Sequence, residues 1–153
     1  MTSLSKIEGT DLEVFCVARA YSDVLQVTVN CHHAGDTSRC ATFGCWARAV
    51  ANGLELPTME LGAEGSGRPS VKDATTTFDA ETLLGGGNVV GSESAQLLAR
   101  VLCERVLPVR RSSGASPEVL LSLSLPADLH TLDMKLLRSI AAVVTETIVG
   151  KRE

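Results

Sequence analysis

The stretch Leu83–Leu102, "LLGGGNVVGSESAQLLARVL", carries the chain from a strand pattern into a helix pattern through a run of glycines. Two folds hang on how it is read. If the glycines cradle a phosphate, the strand before them belongs to the parallel sheet of a nucleotide-binding α/β domain. If they only turn a corner, that strand closes an antiparallel group and the fold is α+β. A P-loop needs Gly-x-x-x-x-Gly-Lys-Ser/Thr, with the lysine neutralising the phosphates. Gly86 and Gly91 have the spacing and Ser92 follows, but no lysine stands between them. Glu93, in the first helical turn, would repel a phosphate where the helix dipole should attract it. Gly85, Gly87 and Gly91 leave one residue too many for Gly-x-Gly-x-x-Gly. The preceding "ATTTFDAETLL" is Thr-rich and charged, unlike a buried parallel strand. The corner reading follows, with glycine supplying a positive φ.

Upstream of that corner the patterns are strands. Leu12–Ala20, "LEVFCVARA", is apolar at both parities and reads as a buried strand. After the turn "YSD", "VLQVTVNC" alternates: Leu25, Val27, Val29 and Cys31 face one way, Gln26, Thr28 and Asn30 the other. "HHAGD" supplies turn residues, and "SRCATFGCWARAV" resumes as a third strand, giving an antiparallel meander. From Asn52 to Asp73 four glycines and two prolines interrupt any periodicity, which predicts a flexible insert. "ATTTFDAETLL" is then a fourth strand ending at Leu84.

Downstream the period changes. Ser92 is placed to cap a helix, Ala95, Leu98, Ala99, Leu102 and Val106 fall on one side of it, and Pro108 stops it. "VLLSLSLP" puts Val119, Leu121, Leu123 and Leu125 on one strand face, with Ser122 and Ser124 opposite. A last helix stacks Leu132, Leu136, Ile140, Val143, Val144 and Thr147, with Gly150 as its stop. The order ββββ–α–β–α implies one α+β domain over residues 1–153, mostly antiparallel, with the insert at about 52–73.

Composition narrows the function. The 153 residues fit one domain, and scarce aromatics (one Trp, one Tyr, three Phe) require a core of Leu, Val, Ile and Ala. A net charge of −4 offers no basic field to nucleic acid or anionic lipid. No apolar run approaches the ~20 residues of a membrane span. The opening "MTSLSKIEGTDLE" lacks a signal-peptide pattern, and five cysteines at irregular spacing are expected to be reduced thiols.

No constellation carries chemistry. Cys31, His32, His33, Cys40 and Cys45 lack the paired spacing of zinc ligands, and Cys40 and Cys45 would face opposite ways in a strand. Asp79 and Glu81 share one strand face, as a solvated sheet surface would have them, and His130 precedes the last helix. Arg110 and Arg111 are too few for a basic patch. Neither a catalytic group nor a cofactor or metal site is expected.

Two strings resemble a known family. "LEVFCVARAYSDVLQVTVNC" (Leu12–Cys31) is similar to the opening of the small proteasome assembly chaperones of the third and fourth types: a strand, a short Ser-containing turn and a strongly apolar strand. "ETLLGGGNVVGSESAQLLARVL" resembles the family's strand ending in Leu-Leu-Gly (Leu83, Leu84, Gly85), a small polar loop, and a helix opening Ala-Gln-x-Leu-Ala-Arg (Ala95, Gln96, Leu98, Ala99, Arg100). The 52–73 segment is expanded relative to the family. The resemblance implies a non-enzymatic chaperone of the cytoplasm, with the nucleus also open to it. It would pair with itself or a relative and bind proteasome α subunits as the α-ring of the 20S proteasome assembles. A homodimer or heterodimer also answers the open sheet edges and the apolar Phe15 and Val17 opposite Val14 and Cys16.

Within the insert, Leu54, Leu56, Met59 and Leu61 are apolar at near-regular spacing among Glu60, Glu64, Arg68 and Lys72, which makes it the candidate partner-binding loop. Two alternatives stay open from the residues alone. One is a small nucleotide-binding enzyme using the Gly85–Gly91 loop; the other is a scaffold module of the longin or roadblock type.

Overall fold

The computed structural model describes residues 1–22, 24–36, 44–52, 77–85, 91–112, 118–129 and 131–150, the side chains of 52, 77 and 107–112 excepted. The chain forms β1 (Thr2–Lys6), β2 (Leu12–Ala20), β3 (Val24–His33), β4 (Cys45–Asn52), β5 (Thr77–Leu84), α1 (Ser92–Ser112), β6 (Glu118–Ser124) and α2 (Met134–Val149). This is an α+β fold: one mixed, mostly antiparallel six-stranded sheet with two helices, ordered β1-β2-β3-β6-β4-β5.

The expected meander is broken. β3 and β4 are not neighbours; β6 lies between them, parallel to β3 (Val27 opposite Leu121) and antiparallel to β4 (Ala47 opposite Leu121). The most apolar strand takes the most buried place, because only a central strand under the helices shields both its edges and a face from water. Val119, Leu121 and Leu123 point into the core, and Ser122 and Ser124 are buried as well.

The alternation expected in β3 is present: Leu25, Val27, Val29 and Cys31 are buried and the residues between them half-buried. β2 differs from its reading as a strand buried on both faces. Leu12, Val14, Cys16 and Ala18 are buried, whereas Phe15 on the other face is 40% exposed, since no helix covers it. The strand expected at 38–50 begins at Cys45; residues 37–43, with Cys40, lie outside the described residues. Asn52, read as the start of the insert, is the last residue of β4, and β5 starts at Thr77.

α1 and α2 touch one another on a single face of the sheet, α1 over β4, β5 and β6, and α2 over β1 and β2. Ala95, Leu98, Ala99, Leu102 and Val106 are buried as the periodicity requires, joined by Cys103. Every fully buried large side chain is Leu, Ile or Val, each contributing roughly 1.5–3 kcal/mol of apolar transfer. Two helix boundaries shift. The Gly91 carbonyl accepts from the Ala95 amide at 2.8 Å, so Ser92 is the first helical residue and the cap is Gly91, with φ 90°. α1 also continues through Pro108 to Ser112. Proline forfeits a ladder bond and crowds the preceding turn, but its fixed φ is helical, and a long packed helix can absorb the loss.

In α2 the buried stripe is Leu137, Ile140, Ala141 and Val144. Leu137 and Ala141 join the expected stripe, Leu136 and Val143 pack half-buried against the core, and Leu132 is buried ahead of the helix. Asp133 caps α2 through the Leu136 amide at 2.7 Å, and Gly150, at φ 81°, ends it as expected.

Candidate interaction surface

Both helices lie on one side, and among the described residues the other face of the sheet is left to its own side chains. The cross-strand register assembles it in rows. One row runs Thr2, Val17, Thr28, Ser122, Trp46 and Leu84 from β1 to β5; the next runs Leu4, Phe15, Asn30 and Ser124. Leu120 and Val50 add apolar area near the other end, beside Arg48. Leu4, Phe15, Leu83 and Leu84 are exposed, and Val17, Trp46, Val50 and Leu120 half-buried. Apolar and small polar groups thus interleave across this face, and no described helix lies on it.

Two charged arrangements stand out on the sheet, one within this face and one, opposite Leu12 in register, on the other side. Arg48 donates from Nε and Nη2 to both carboxylate oxygens of Glu118 (2.7 and 3.2 Å) and from Nη1 to Glu81 (3.3 Å). One guanidinium thereby ties β4 to β6 and β5, and the fork geometry suits the bidentate carboxylate. At the far end of β3, His33 is held between two aspartates: Nδ1 is 2.8 Å from Asp11 and Nε2 2.9 Å from Asp128. The bond to Asp128, then that to Asp11, raises the imidazole pKa above its usual 6.5. His32 Nε2 lies 3.3 Å from the Glu13 carboxylate but out of hydrogen-bond alignment.

The described thiols, Cys16, Cys31, Cys45 and Cys103, are buried between the sheet and the helices. Burial pushes Cys16 up to about 11, Cys31 to about 12 and Cys103 to about 11, and raises Cys45 as well. Cys45 donates to the Leu84 carbonyl at 3.3 Å, stitching β4 to the end of β5. Thiols held in their neutral form are poor nucleophiles and poor metal ligands. Cys31 and Cys45 in the core, His32 beside Glu13, and His33 between its aspartates do not converge. Among the described residues no group of three or more His, Cys, Asp or Glu is arranged so that it could hold a metal ion.

The glycine corner takes the form that the sequence predicts. Gly85 has φ 79° and Gly91 φ 90°, both in the left-handed region. A Cβ on Gly91 would also press Leu125 at 3.2 Å. Gly86, Gly87 and their neighbours to residue 90 lie outside the described residues, as does His130. The candidate loop residues Leu54, Leu56, Met59, Glu60, Leu61, Glu64, Arg68 and Lys72 lie outside them too. What sequence reading did not find is the open face, apart from Phe15 and Val17. The signal for it is the register across six strands, which no single segment carries. Among the described residues no helix is long and apolar enough to cross a membrane. No protein-family model matches the chain, and no curated protein matches it.

Proposed function

We propose that this chain is a non-enzymatic assembly chaperone. It pairs with itself or a like-folded relative and holds proteasome α subunits while the α-ring of the 20S proteasome forms. It acts in the cytoplasm and nucleus and uses no cofactor. The observation that supports this reading is the uncovered sheet face. Leu4, Phe15, Trp46 and Leu120 sit among Thr28, Asn30, Ser122 and Ser124 over five strands, a breadth suited to another folded protein. Interleaved polar groups keep such a face wettable, so a partner seated there can leave again. The proteasome enters through the resemblance of Leu12–Cys31 and Glu81–Leu102 to the assembly-chaperone family.

The test is recovery of the tagged chain from a eukaryotic lysate. Proteasome α subunits, with or without a sister chaperone, are expected to co-purify while mature β subunits stay behind. Phe15→Ser and Leu120→Lys, both on the uncovered face, should lose that recovery without lowering the melting temperature by more than a few degrees. Recovery of finished proteasomes in the same proportion as α subunits, or of neither, would overturn the reading.

A further inference from the structure

The ladder between β3 and β6 stops at Asn30 and Ser124, and past that row the described chain leaving β6 pairs with no strand. It turns back on itself at 126–129, where the Leu129 amide donates to the Pro126 carbonyl at 3.0 Å. Leu129 packs half-buried against the core. Just beyond, the Leu132 amide donates to Ser94 Oγ at 3.0 Å, which ties the approach to α2 down on α1. Toward β3 the tie is a side chain: His33 Nε2 stands 2.9 and 3.0 Å from the two oxygens of Asp128, 95 positions away. The other ring nitrogen, Nδ1, is 2.8 Å from Asp11, in the turn between β1 and β2.

A carboxylate only accepts, so each of these bonds needs a proton on the ring nitrogen that faces it. The imidazolium carries both protons. The neutral ring carries one and turns a lone pair toward the other carboxylate. The turn that holds Asp11 has backbone ties of its own: the Asp11 carbonyl accepts from the Ala34 amide at 2.7 Å, and the Ile7 amide donates to the Leu12 carbonyl at 2.9 Å. The bond that yields is then the one to Asp128. We propose that His33 is a latch operated by pH: charged, it holds the turn at 126–129 against the end of β3, and neutral, it lets that turn open. The bond to Asp128, then that to Asp11, holds the imidazole pKa above its usual 6.5. The latch is therefore closed below 6.5 and opens as pH rises through the raised value. Among the described residues these two carboxylates are the charged groups that act on the ring. His32, next along β3, lies beside Glu13, and Asp36 meets His33 through the backbone, its amide donating to the His33 carbonyl at 3.0 Å. The latch stands apart from the assembly reading, since it involves neither the uncovered face nor a partner.

The test is exchange of backbone amides with solvent, followed by NMR on the full chain between about pH 6 and pH 8.5. Rates are expressed as protection factors, so that the intrinsic pH dependence of exchange drops out. In the parent, protection at Leu129 and Leu132 should fall about threefold over that range, as suits an exposed charged pair, while Ala34 stays level. His33→Gln should abolish the fall, and His32→Gln should leave it as in the parent. Asp11→Asn separates the latch from a merely structural histidine. Its amide can donate to the bare Nδ1 of the neutral ring, which leaves the ring proton on Nε2 for Asp128. Protection in that variant should accordingly stay high across the whole range. Asp11 is exposed and His33 lies at the surface, so these variants keep the fold. Protection that does not change with pH in the parent, the same fall in His33→Gln, or an Asp11→Asn chain that opens as the parent does would overturn the proposal.

Discussion

A methyl group on Gly44 would meet the Leu123 carbonyl and stand 3.0 Å from the Ser124 amide nitrogen, both of them backbone in the central strand. Neither can step aside without moving β6. Gly44→Ala is therefore expected to cost about 2 kcal/mol or more, lowering the melting temperature by roughly 4–8 °C in calorimetry. A melt within a degree of the parent would show that the strand yields. His33 gives a second prediction, in pH. Two carboxylates engage its two ring nitrogens, and only the imidazolium can donate to both. Its pKa is higher folded than unfolded, so the contribution to stability is complete below 6.5 and is lost as pH rises through the raised folded value. The melting-temperature gap between the parent and His33→Gln should be wide near pH 6 and close toward pH 9. A gap constant across that range would rule the charge out. Neither residue was legible beforehand: Gly44 sits inside what reads as a strand, and His33 inside what reads as a turn. The neighbours of Gly44 lie roughly eighty positions away, and the two aspartates of His33 lie 22 and 95 positions away.

Elements were legible where one helix face or strand face meets the core. The buried stripe of α1 and the alternation of β3 need only local spacing, and both stand as read. β1 left no such trace, because "TSLSK" has one apolar residue, Leu4, and that one is exposed. Backbone bonding and termini hold it instead. The terminal ammonium donates to the Ala18 carbonyl and the Ala18 amide to the Met1 carbonyl, both at 2.8 Å, while the Ser3 and Thr147 hydroxyls meet at 2.6 Å. β1 thus covers the edge of β2 and touches α2. Removing residues 1–6 should lower the melting temperature and leave β2 as a bare edge open to self-association. Thermal melts with sedimentation at several concentrations would show both effects. A truncated chain with the parent's stability and sedimentation would mean that β1 is dispensable.

At the scale of the molecule, β6 decides the architecture. Without it the chain holds a three-strand piece, β1-β2-β3, and a two-strand piece, β4-β5, with no strand pairing between them among the described residues. Composition and pattern indicated α+β and the number of helices, but pairing order depends on which distant strands meet, and no local spacing encodes that. A chain ending at residue 117 should accordingly show no cooperative transition by circular dichroism, although five of the six strands are present. A sharp melt would mean that the two pieces close without their keystone. The same topology bears on synthesis. At about 5–20 residues per second, the interval between the end of β3 and the end of β6 is on the order of 5–20 s. Through that interval the growing polypeptide carries a finished but one-sided group of strands whose inner flank awaits a segment not yet made. Slowing translation over residues 34–117 would prolong that exposure, whereas slowing it after Ser124 would not. Codon choice in this stretch therefore bears on the yield of folded protein although it alters no residue of it.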